Sequence, residues 1–482
     1  MSNSWAISGV DLHLPPLGRG ARAGLERALR EAVRDGRLHP GARLPSSRAL
    51  AADLGVARNT VAEAYTQLVA EGWLAARQGS GTRVAERPGP TATRASETSV
   101  TESGEAGPVP RGASRFDLRA GVPALSEFPR VQWLAAARRA VARAPHDALG
   151  YGDPRGRPEL RAALAGYLSR ARGVVVQPDT VVVCAGYAHG LSVLAETLRR
   201  GGETGIGVER YGHPAHRSLL SAAGLRVHPL PVDGGGADLA ALTGAPDRSM
   251  AGAILTPAHQ FPLGVTLAAD RRAAAVRWAR GQDALIIEDD YDGEYRYDRQ
   301  PVGALQALDP DHVVYAGTAS KSLAPGLRLS WLVLPPRLVA AVVGGHVLRD
   351  RCPPALDQLT LAEFIDTGRY DRQVRRTRVI YRRRRDTLVA ALGREIPAVH
   401  VTGIAAGMHA VLRLPDGVPE AAAVRAAARH GVLVEGLSRY RATPADGDPP
   451  ALLVGYGTPA SHAFTAAIAR LCAALASVLA RP

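Results

Sequence analysis

Lysine is almost missing from this chain. Of its 59 basic residues, 58 are arginine and one is lysine, Lys321. The sequence is rich in Ala, Gly, Arg and Pro, as expected where a compositional bias has replaced lysine with arginine wherever charge alone is needed. A lysine that persists marks a task arginine cannot perform. The clearest is imine formation, because a primary amine can lose its proton near neutral pH and attack an aldehyde, whereas a guanidinium stays protonated. A leftover surface lysine is the alternative, and its neighbours must decide. Cysteine is scarce as well: Cys184, Cys352 and Cys472 lie far apart with no C-x-x-C pair, which supports neither a disulfide framework nor a zinc site. No stretch approaches ~18 uninterrupted apolar residues. The opening Met-Ser-Asn-Ser-Trp is no signal peptide. The expectation is a soluble, cytoplasmic protein without a membrane partner.

What is there divides unevenly. At 482 residues the chain is long enough for two to four domains of about 150 residues each. A formal charge of +14 invites a nucleic-acid reading, yet arginine runs such as Tyr381-Arg-Arg-Arg-Arg-Asp386 are expected on solvated helix surface. Residues 87–113 lack aromatics and any apolar period and read as a flexible linker, spanning on the order of 30 Å as a coil. They separate a module of residues 1–86 from one of residues 114–482.

In the first module, Leu25, Leu29 and Val33 fall on one face of a helix ending at Gly36. Leu44-Pro-Ser-Ser-Arg-Ala-Leu-Ala-Ala-Asp-Leu-Gly55 offers a serine cap, a short helix and a glycine stop. A third helix follows over 57–72, with Val61, Ala64, Tyr65, Leu68 and Val69 facing inward. Two short helices joined by a tight turn have helix-turn-helix geometry, and Arg58, Asn59 and Thr60 then start the recognition helix. Residues 73–84 read as a hairpin, a wing, turning at Gly79, Ser80 and Gly81. Arg43, Ser47, Arg48, Arg77 and the wing amides are natural phosphate contacts. Eleven arginines against eight acids over residues 1–86 leave a net of only +3, so non-specific affinity should be modest unless the protein is a dimer. A three-helix protein-interaction module is the competing reading of the same pattern.

In the second module, apolar runs at 180–185, 205–209, 225–230, 251–256, 284–288, 312–316 and 329–334 alternate with helical stretches, the signature of a mostly parallel α/β sheet. Ligands of such sheets collect at the carboxyl ends of the strands. Just past those ends come Asp289-Asp290-Tyr291, Thr318-Ala-Ser320-Lys321 with Arg328 seven residues on, and Ala185-Gly186-Tyr187-Ala188-His189, a glycine turn opening a helix. Each meets one need of pyridoxal phosphate: an amine for the aldehyde, a carboxylate for the ring nitrogen, a donor for the phenolic oxygen, and hydroxyls, an arginine and a helix amino end for the phosphate. Glu288-Asp289-Asp290 could instead be a bland strand end or a metal site. With no matching histidine or carboxylate nearby in sequence, no metal is expected.

Two resemblances sharpen this. Gly41-Ala-Arg-Leu-Pro-Ser-Ser-Arg48, Arg58-Asn-Thr-Val-Ala-Glu-Ala-Tyr65 and Gly79-Ser-Gly-Thr-Arg-Val84 closely resemble the winged helix-turn-helix of the GntR family. Tyr151-Gly-Asp-Pro-Arg-Gly156, Thr256-Pro-Ala-His-Gln-Phe-Pro-Leu-Gly264, Ile286-Ile-Glu-Asp-Asp-Tyr-Asp-Gly-Glu-Tyr295 and Gly317–Arg328 resemble class I/II aminotransferases of fold type I. The combination resembles MocR/GabR-type regulators, among them the PdxR-like subgroup. The resemblance implies an aminotransferase-like domain with a large subdomain over about 150–335 and a small one over about 114–145 and 340–482. It implies Lys321 as the internal-aldimine lysine, Asp289 as partner of the pyridine nitrogen and Tyr291 as donor to the phenolic oxygen. Arg328, Thr318 and Ser320, with Gly186, Tyr187 and Ala188, would form the phosphate cup. Tyr151 would reach the partner's cofactor in a head-to-tail homodimer, and Arg439 would clamp an effector carboxylate.

The chain also departs from the family. Tyr211-Gly212-His213 stands where relatives have Pro-Gly-Tyr, leaving His213 to stack on the ring. Pro214-Ala-His-Arg217 lacks the second carboxylate-binding arginine at the spacing of regulators that sense γ-amino acids. The expected function is a regulator that binds a double-stranded DNA operator under control of pyridoxal phosphate or an amino compound, with at most residual aminotransferase activity. The alternative is a working aminotransferase with an attached DNA module.

Overall fold

The computed structural model describes residues 21–77, 81–85, 116–243, 250–297, 302–350, 353–443 and 448–480. The chain divides into two compact units, Met1–Thr101 and Glu102–Pro482.

The first unit is three helices and a hairpin: α1 (Ala21–Arg34), α2 (Ser47–Leu54), α3 (Arg58–Ala70), β1 (Leu74–Arg77) and β2 (Gly81–Val84). Ser46 caps α2, its hydroxyl accepting from the Ala49 amide at 3.2 Å, and Gly55 ends it in the left-handed conformation at φ 63°. On α1 the apolar stripe is rotated from the expected face. Leu25, Ala28, Leu29 and Ala32 are buried and Val33 only partly so, because the small alanines allow close approach to Val61, Ala64, Tyr65 and Leu68 of α3. Tyr65 also donates to the Pro45 carbonyl at 3.1 Å, tying α3 to the turn before α2. The hairpin pairs Leu74 with Val84 and Arg77 with Gly81, and the Leu44 amide donates to the Thr82 carbonyl, so the wing is tied by backbone to the segment before α2. Gly79 and Ser80, expected at the wing tip, lie outside the described residues.

The second unit is built on a seven-stranded sheet. Its strands are β4 (Val181–Cys184), β5 (Gly205–Glu209), β6 (Arg226–Leu230), β7 (Met250–Leu255), β8 (Leu285–Asp290), β9 (Val313–Thr318) and β10 (Ser330–Val333), in the order β4-β10-β9-β8-β7-β5-β6. All neighbours are parallel except β10, which runs against β9 and β4. The expected runs are all strands, but β8 extends through Asp289 and Asp290 and β9 through Thr318. These residues close the strands rather than follow them. Two apolar clusters line opposite faces of the central strands: Val182, Ala316 and Leu332 point into one, Val183, Tyr315 and Trp331 into the other.

A second, four-stranded sheet of His400–Thr402, His409–Arg413, Ala451–Gly455 and Glu435–Gly436 packs with Phe116, the helix Arg369–Glu395 and the helix Ser461–Leu479 in a separate core. The subdomains divide differently from expectation. Helices Arg130–Arg143 and Ala355–Asp366 pack on each other, and their Trp133, Ala136, Leu361 and Phe364 join the core of the large sheet. The arginine run is also split: Arg382 and Arg383 are exposed, while Arg384 is buried and donates to the Tyr456 carbonyl at 3.0 Å. The helix Ser461–Leu479 is long and apolar enough to cross a membrane, with mean hydropathy 1.6, but Phe464, Ile468, Leu471 and Leu475 are buried in the small-subdomain core.

Candidate cofactor site and DNA-reading face

The carboxyl ends of β5, β7, β8 and β9 open onto a cavity of about 580 Å³, lined by Lys321, Asp289, Tyr291, Thr318, Ser320, Arg328, Tyr187, Ala188 and His213 among others. Strand alternation explains how three consecutive acids serve three purposes. Glu288 accepts from the amides of Leu305 and Gln306 at 2.8 and 2.9 Å. Asp290 faces Arg172, bidentate at 2.7 and 3.0 Å, and accepts from the Tyr315 hydroxyl at 2.7 Å. Asp289, between them, points into the cavity. The acidic run is therefore two structural anchors and one residue left for a ligand.

Asp289 is 9% exposed. Burial pushes its carboxyl up to about 8, with Asp290 and Glu209 adding to the rise while Tyr187 and Lys321 oppose it. Glu209 lies close by on β5, and burial raises it to about 7 despite bonds from the Thr256 amide and hydroxyl and from Gln260. Two buried carboxyls held near neutrality form a site that gains from an incoming cation, which a protonated pyridine nitrogen supplies.

Lys321 sits three residues past β9, its side chain half-buried, and its Nζ donates to the Gly121 carbonyl at 2.7 Å. Burial lowers its pKa below the ordinary 10.5, against the opposing pull of Asp289 and Asp292. A lysine amine displaced toward its neutral form is what attack on an aldehyde requires.

The phosphate end is a cradle closed by a glycine. Gly186 takes φ 95°, and a Cβ there would lie 2.5 Å from Arg328 Nη2. Only glycine lets the guanidinium reach across the turn, where it donates to the Ala185 carbonyl at 2.7 Å. Arg328 itself holds a left-handed φ of 52°, a strain of about 1–3 kcal/mol that persists where surrounding structure fixes an orientation. The helix Tyr187–Arg200 begins at this turn with no side-chain cap, presenting the amides of Tyr187 and Ala188. Thr318 and Ser320 complete the rim, with hydroxyls 2.9 Å apart. The donors fit a phosphate dianion.

Other parts of the cavity were not legible in the sequence. His216 packs against Tyr187 and His213 at 4.9 and 5.1 Å between ring centroids, and burial pushes it down to about 3, so it is neutral. His213 lines the wall as expected but also caps the helix Pro214–Ala222, its Nδ1 accepting from the Ala215 amide at 3.3 Å. Phe261, His409 and Tyr440 come from three distant segments. His259, Asp292 and His409, all buried, offer ligand atoms within 4.8 Å of one another. No histidine stands beside the acidic run in the sequence, because this grouping is tertiary.

Two expected residues lie elsewhere. Arg439 is not among the cavity's lining residues: its Nε pairs with Glu435 Oε1 at 3.3 Å, four residues earlier in the chain on the strand Glu435–Gly436. Tyr151 is 82% exposed and outside its own chain's cavity. Arg217 is also spoken for, donating to the carbonyls of Gly212, Tyr440 and Arg441.

In the first unit Arg43, Arg48, Arg58 and Asn59 are exposed, Ser47 and Thr60 partly so. Arg58 begins α3, whose first turn has no side-chain cap. Gly81 opens β2, and the Arg43 guanidinium lies over it.

Comparison with known proteins agrees with both halves. Residues 22–84 match the bacterial regulatory proteins of the gntR family, and residues 116–452 match aminotransferase class I and II. The HTH-type transcriptional regulator YhdI of Bacillus subtilis is 35% identical over 434 residues, 89% of this chain and 90% of its own length. The chain belongs to the MocR-type transcriptional regulators. Other relatives are the pyridoxine biosynthesis transcriptional regulator PdxR of Corynebacterium glutamicum, 34% identical over 86% of this chain and 88% of its own, and the probable rhizopine catabolism regulatory protein MocR of Rhizobium meliloti, 35% identical over 88% of each. Among solved structures, the aminotransferase LysN of Thermus thermophilus, complexed with N-(5'-phosphopyridoxyl)-L-leucine, superposes with TM-score 0.66 at 24% identity over 76% of this chain and 92% of its own. That likeness gives the fold of this regulator's second unit. As a member of the family, the chain is a DNA-binding regulator with an aminotransferase-like domain.

Proposed function

We propose that this regulator binds pyridoxal phosphate through Lys321 and that the cofactor itself is the signal controlling operator binding. The observation that carries the reading is the position of the chain's single lysine. It lines the same cavity as the buried Asp289, with the Arg328–Gly186 cradle at the other end.

When bound, the cofactor supplies an aldehyde and an electron-withdrawing ring. The residues would divide the work of holding it. Asp289, once ionised, pairs with the ring nitrogen. Tyr291 donates to the phenolic oxygen, the phosphate takes Arg328, the hydroxyls of Thr318 and Ser320 and the amides of Tyr187 and Ala188, and His213 contributes to the ring's wall.

The choice of cofactor as effector rests on the rest of the cavity. Among the described residues Lys321 and Arg328 are its only lysine and arginine, while Arg439 pairs with Glu435 and Arg217 holds three carbonyls. An amino acid would meet no arginine for its carboxylate beyond the one assigned to phosphate. Exposed Tyr151 supports a homodimer in which it completes the partner's site. The DNA contacts are assigned to Arg43, Ser47, Arg48, Arg58, Asn59 and Thr60, with cytoplasmic location following from the function. Operator affinity of the purified dimer, measured with and without pyridoxal phosphate and with a panel of amino acids, tests this. A response to the cofactor alone supports the reading, and one that needs an added amino acid overturns it.

A further inference from the structure

Beside the cofactor cavity, one ring nitrogen lies between two oxygens. His259 Nδ1 is 2.9 Å from Asp292 Oδ2 and 3.1 Å from the Tyr291 hydroxyl. Asp292 and His259 are 2% and 3% exposed, and a buried carboxylate requires a donor. The His259 ring nitrogen is the side-chain atom that reaches it. A ring nitrogen carries a single hydrogen, so that of Nδ1 is committed to Asp292, and the Tyr291 oxygen faces an N–H and not a lone pair. The Tyr291 hydroxyl then has no acceptor on His259. Two acceptors are left to compete for its proton: Asp292, which adds to the phenol's rise through a side-chain hydrogen bond, and a ligand in the cavity, whose wall Tyr291 forms.

The packing around the pair holds this arrangement. A Cβ on Gly407, which has φ 67°, would lie 2.2 Å from His259 Cε1 and 2.6 Å from Asp292 Oδ2, so glycine there admits the ring. His409 stacks on His259 at 5.1 Å, and its own Nε2 bonds the Pro262 carbonyl at 3.0 Å. Phe261 meets Tyr291 edge-on at 5.9 Å. Burial raises the Tyr291 phenol well above its usual range, with Asp292, Asp289 and Glu209 adding to the rise, so the phenol stays protonated and able to donate.

We propose that the Asp292–His259 pair is a positioning element that fixes the direction of the Tyr291 hydroxyl proton and so tunes the cofactor's phenolic oxygen. This rests on the proposed binding of pyridoxal phosphate. With the cofactor bound, a donor from Tyr291 would stabilise the phenolic oxygen in its deprotonated form and so would lower the pKa read from the visible band. Without His259, the Asp292 carboxylate loses the N–H that competes for it and draws the Tyr291 proton more strongly, away from the cofactor.

The test is a spectroscopic pH titration of the full-length, cofactor-loaded protein, with pyridoxal phosphate affinity measured in parallel. His259→Leu should raise the band's pKa by about one unit and weaken cofactor affinity roughly tenfold, the scale of one lost hydrogen bond to a charged group. His259→Asn, whose amide N–H lies near the position of Nδ1, should restore both. If His259→Leu does not fold, His259→Gln, which places its amide nearer the position of Nε2, should show the rise. Unchanged pKa in the folded Leu or Gln variant overturns the proposal, as does an equal rise in His259→Asn. Stoichiometric zinc in the purified wild type, with a pKa that shifts on chelation, also overturns it by making the cluster a metal site. Absence of any borohydride-fixed band from the wild type would instead overturn the cofactor reading and, with it, this one.

Discussion

Lys321 and Gly121 are 200 residues apart in sequence and joined by one hydrogen bond, Nζ to carbonyl oxygen at 2.7 Å. The segment Ala120–Val122 is thereby a wall of the cavity, two residues beyond the strand Phe116–Asp117. An amine that captures an aldehyde has to leave the Gly121 carbonyl. Lys321→Arg should keep the charge and still reach that carbonyl, yet abolish the visible band fixed by borohydride. Hydrogen exchange at residues 120–122 should rise on cofactor binding in the wild type and stay unchanged in the arginine variant.

Asp289 makes the stability of the cofactor-free protein depend on pH in a stated direction. Its carboxyl is raised from 3.8 to about 8, so the folded state holds a proton that the unfolded chain releases. The resulting stabilisation is complete below about pH 4 and is lost as pH rises through about 8. Thermal melting of the cofactor-free wild type should therefore decline over that window more steeply than that of Asp289→Asn. The variant should also bind pyridoxal phosphate at least tenfold more weakly at pH 7, having lost the carboxylate for the ring nitrogen.

Gly186→Ala tests the cradle. The new Cβ would lie 2.5 Å from Arg328 Nη2 at a φ of 95°, so either the turn or the guanidinium must move. A loss of about 1–3 kcal/mol in stability is expected. Cofactor affinity should fall tenfold or more while borohydride still fixes whatever cofactor binds, because Lys321 is untouched.

Arg439→Ala should leave pyridoxal phosphate affinity and the operator response unchanged, because its guanidinium pairs with Glu435 outside the cavity lining. Isothermal titration with the cofactor and an operator-binding assay check this. A lost response would restore Arg439 as an effector clamp.

Arg58→Ala and Asn59→Ala, at the exposed start of α3, should each cost about 1–3 kcal/mol of specific operator affinity. Cofactor uptake should be unaffected. An unchanged operator affinity in gel shift or fluorescence anisotropy would move the recognition surface elsewhere.

Much of this protein was readable before any coordinates. Local rules carried the elements: the serine cap at Ser46, the glycine stop at Gly55, and short apolar runs that form the strands of the large sheet, all buried except the edge strand Arg226–Leu230. Composition singled out Lys321, and spacing put Asp289, Tyr291, Thr318 and Arg328 near strand ends, because a parallel sheet delivers its loops to one edge. Three-dimensional packing decided what spacing does not encode. It sent Asp290 to Arg172 while turning Asp289 to the cavity, pulled Arg439 back onto Glu435, and buried Arg384 within a run that reads as solvated. It also assembled His259, the adjacent Tyr291 and Asp292, and His409 from three separate segments, a grouping without sequence period because each segment is placed by a different strand or loop. Sequence named the chemistry through residues whose types are irreplaceable. The fold chose which of many similar arginines, acids and histidines face the ligand, since that depends on the direction of each side chain and on what it meets there.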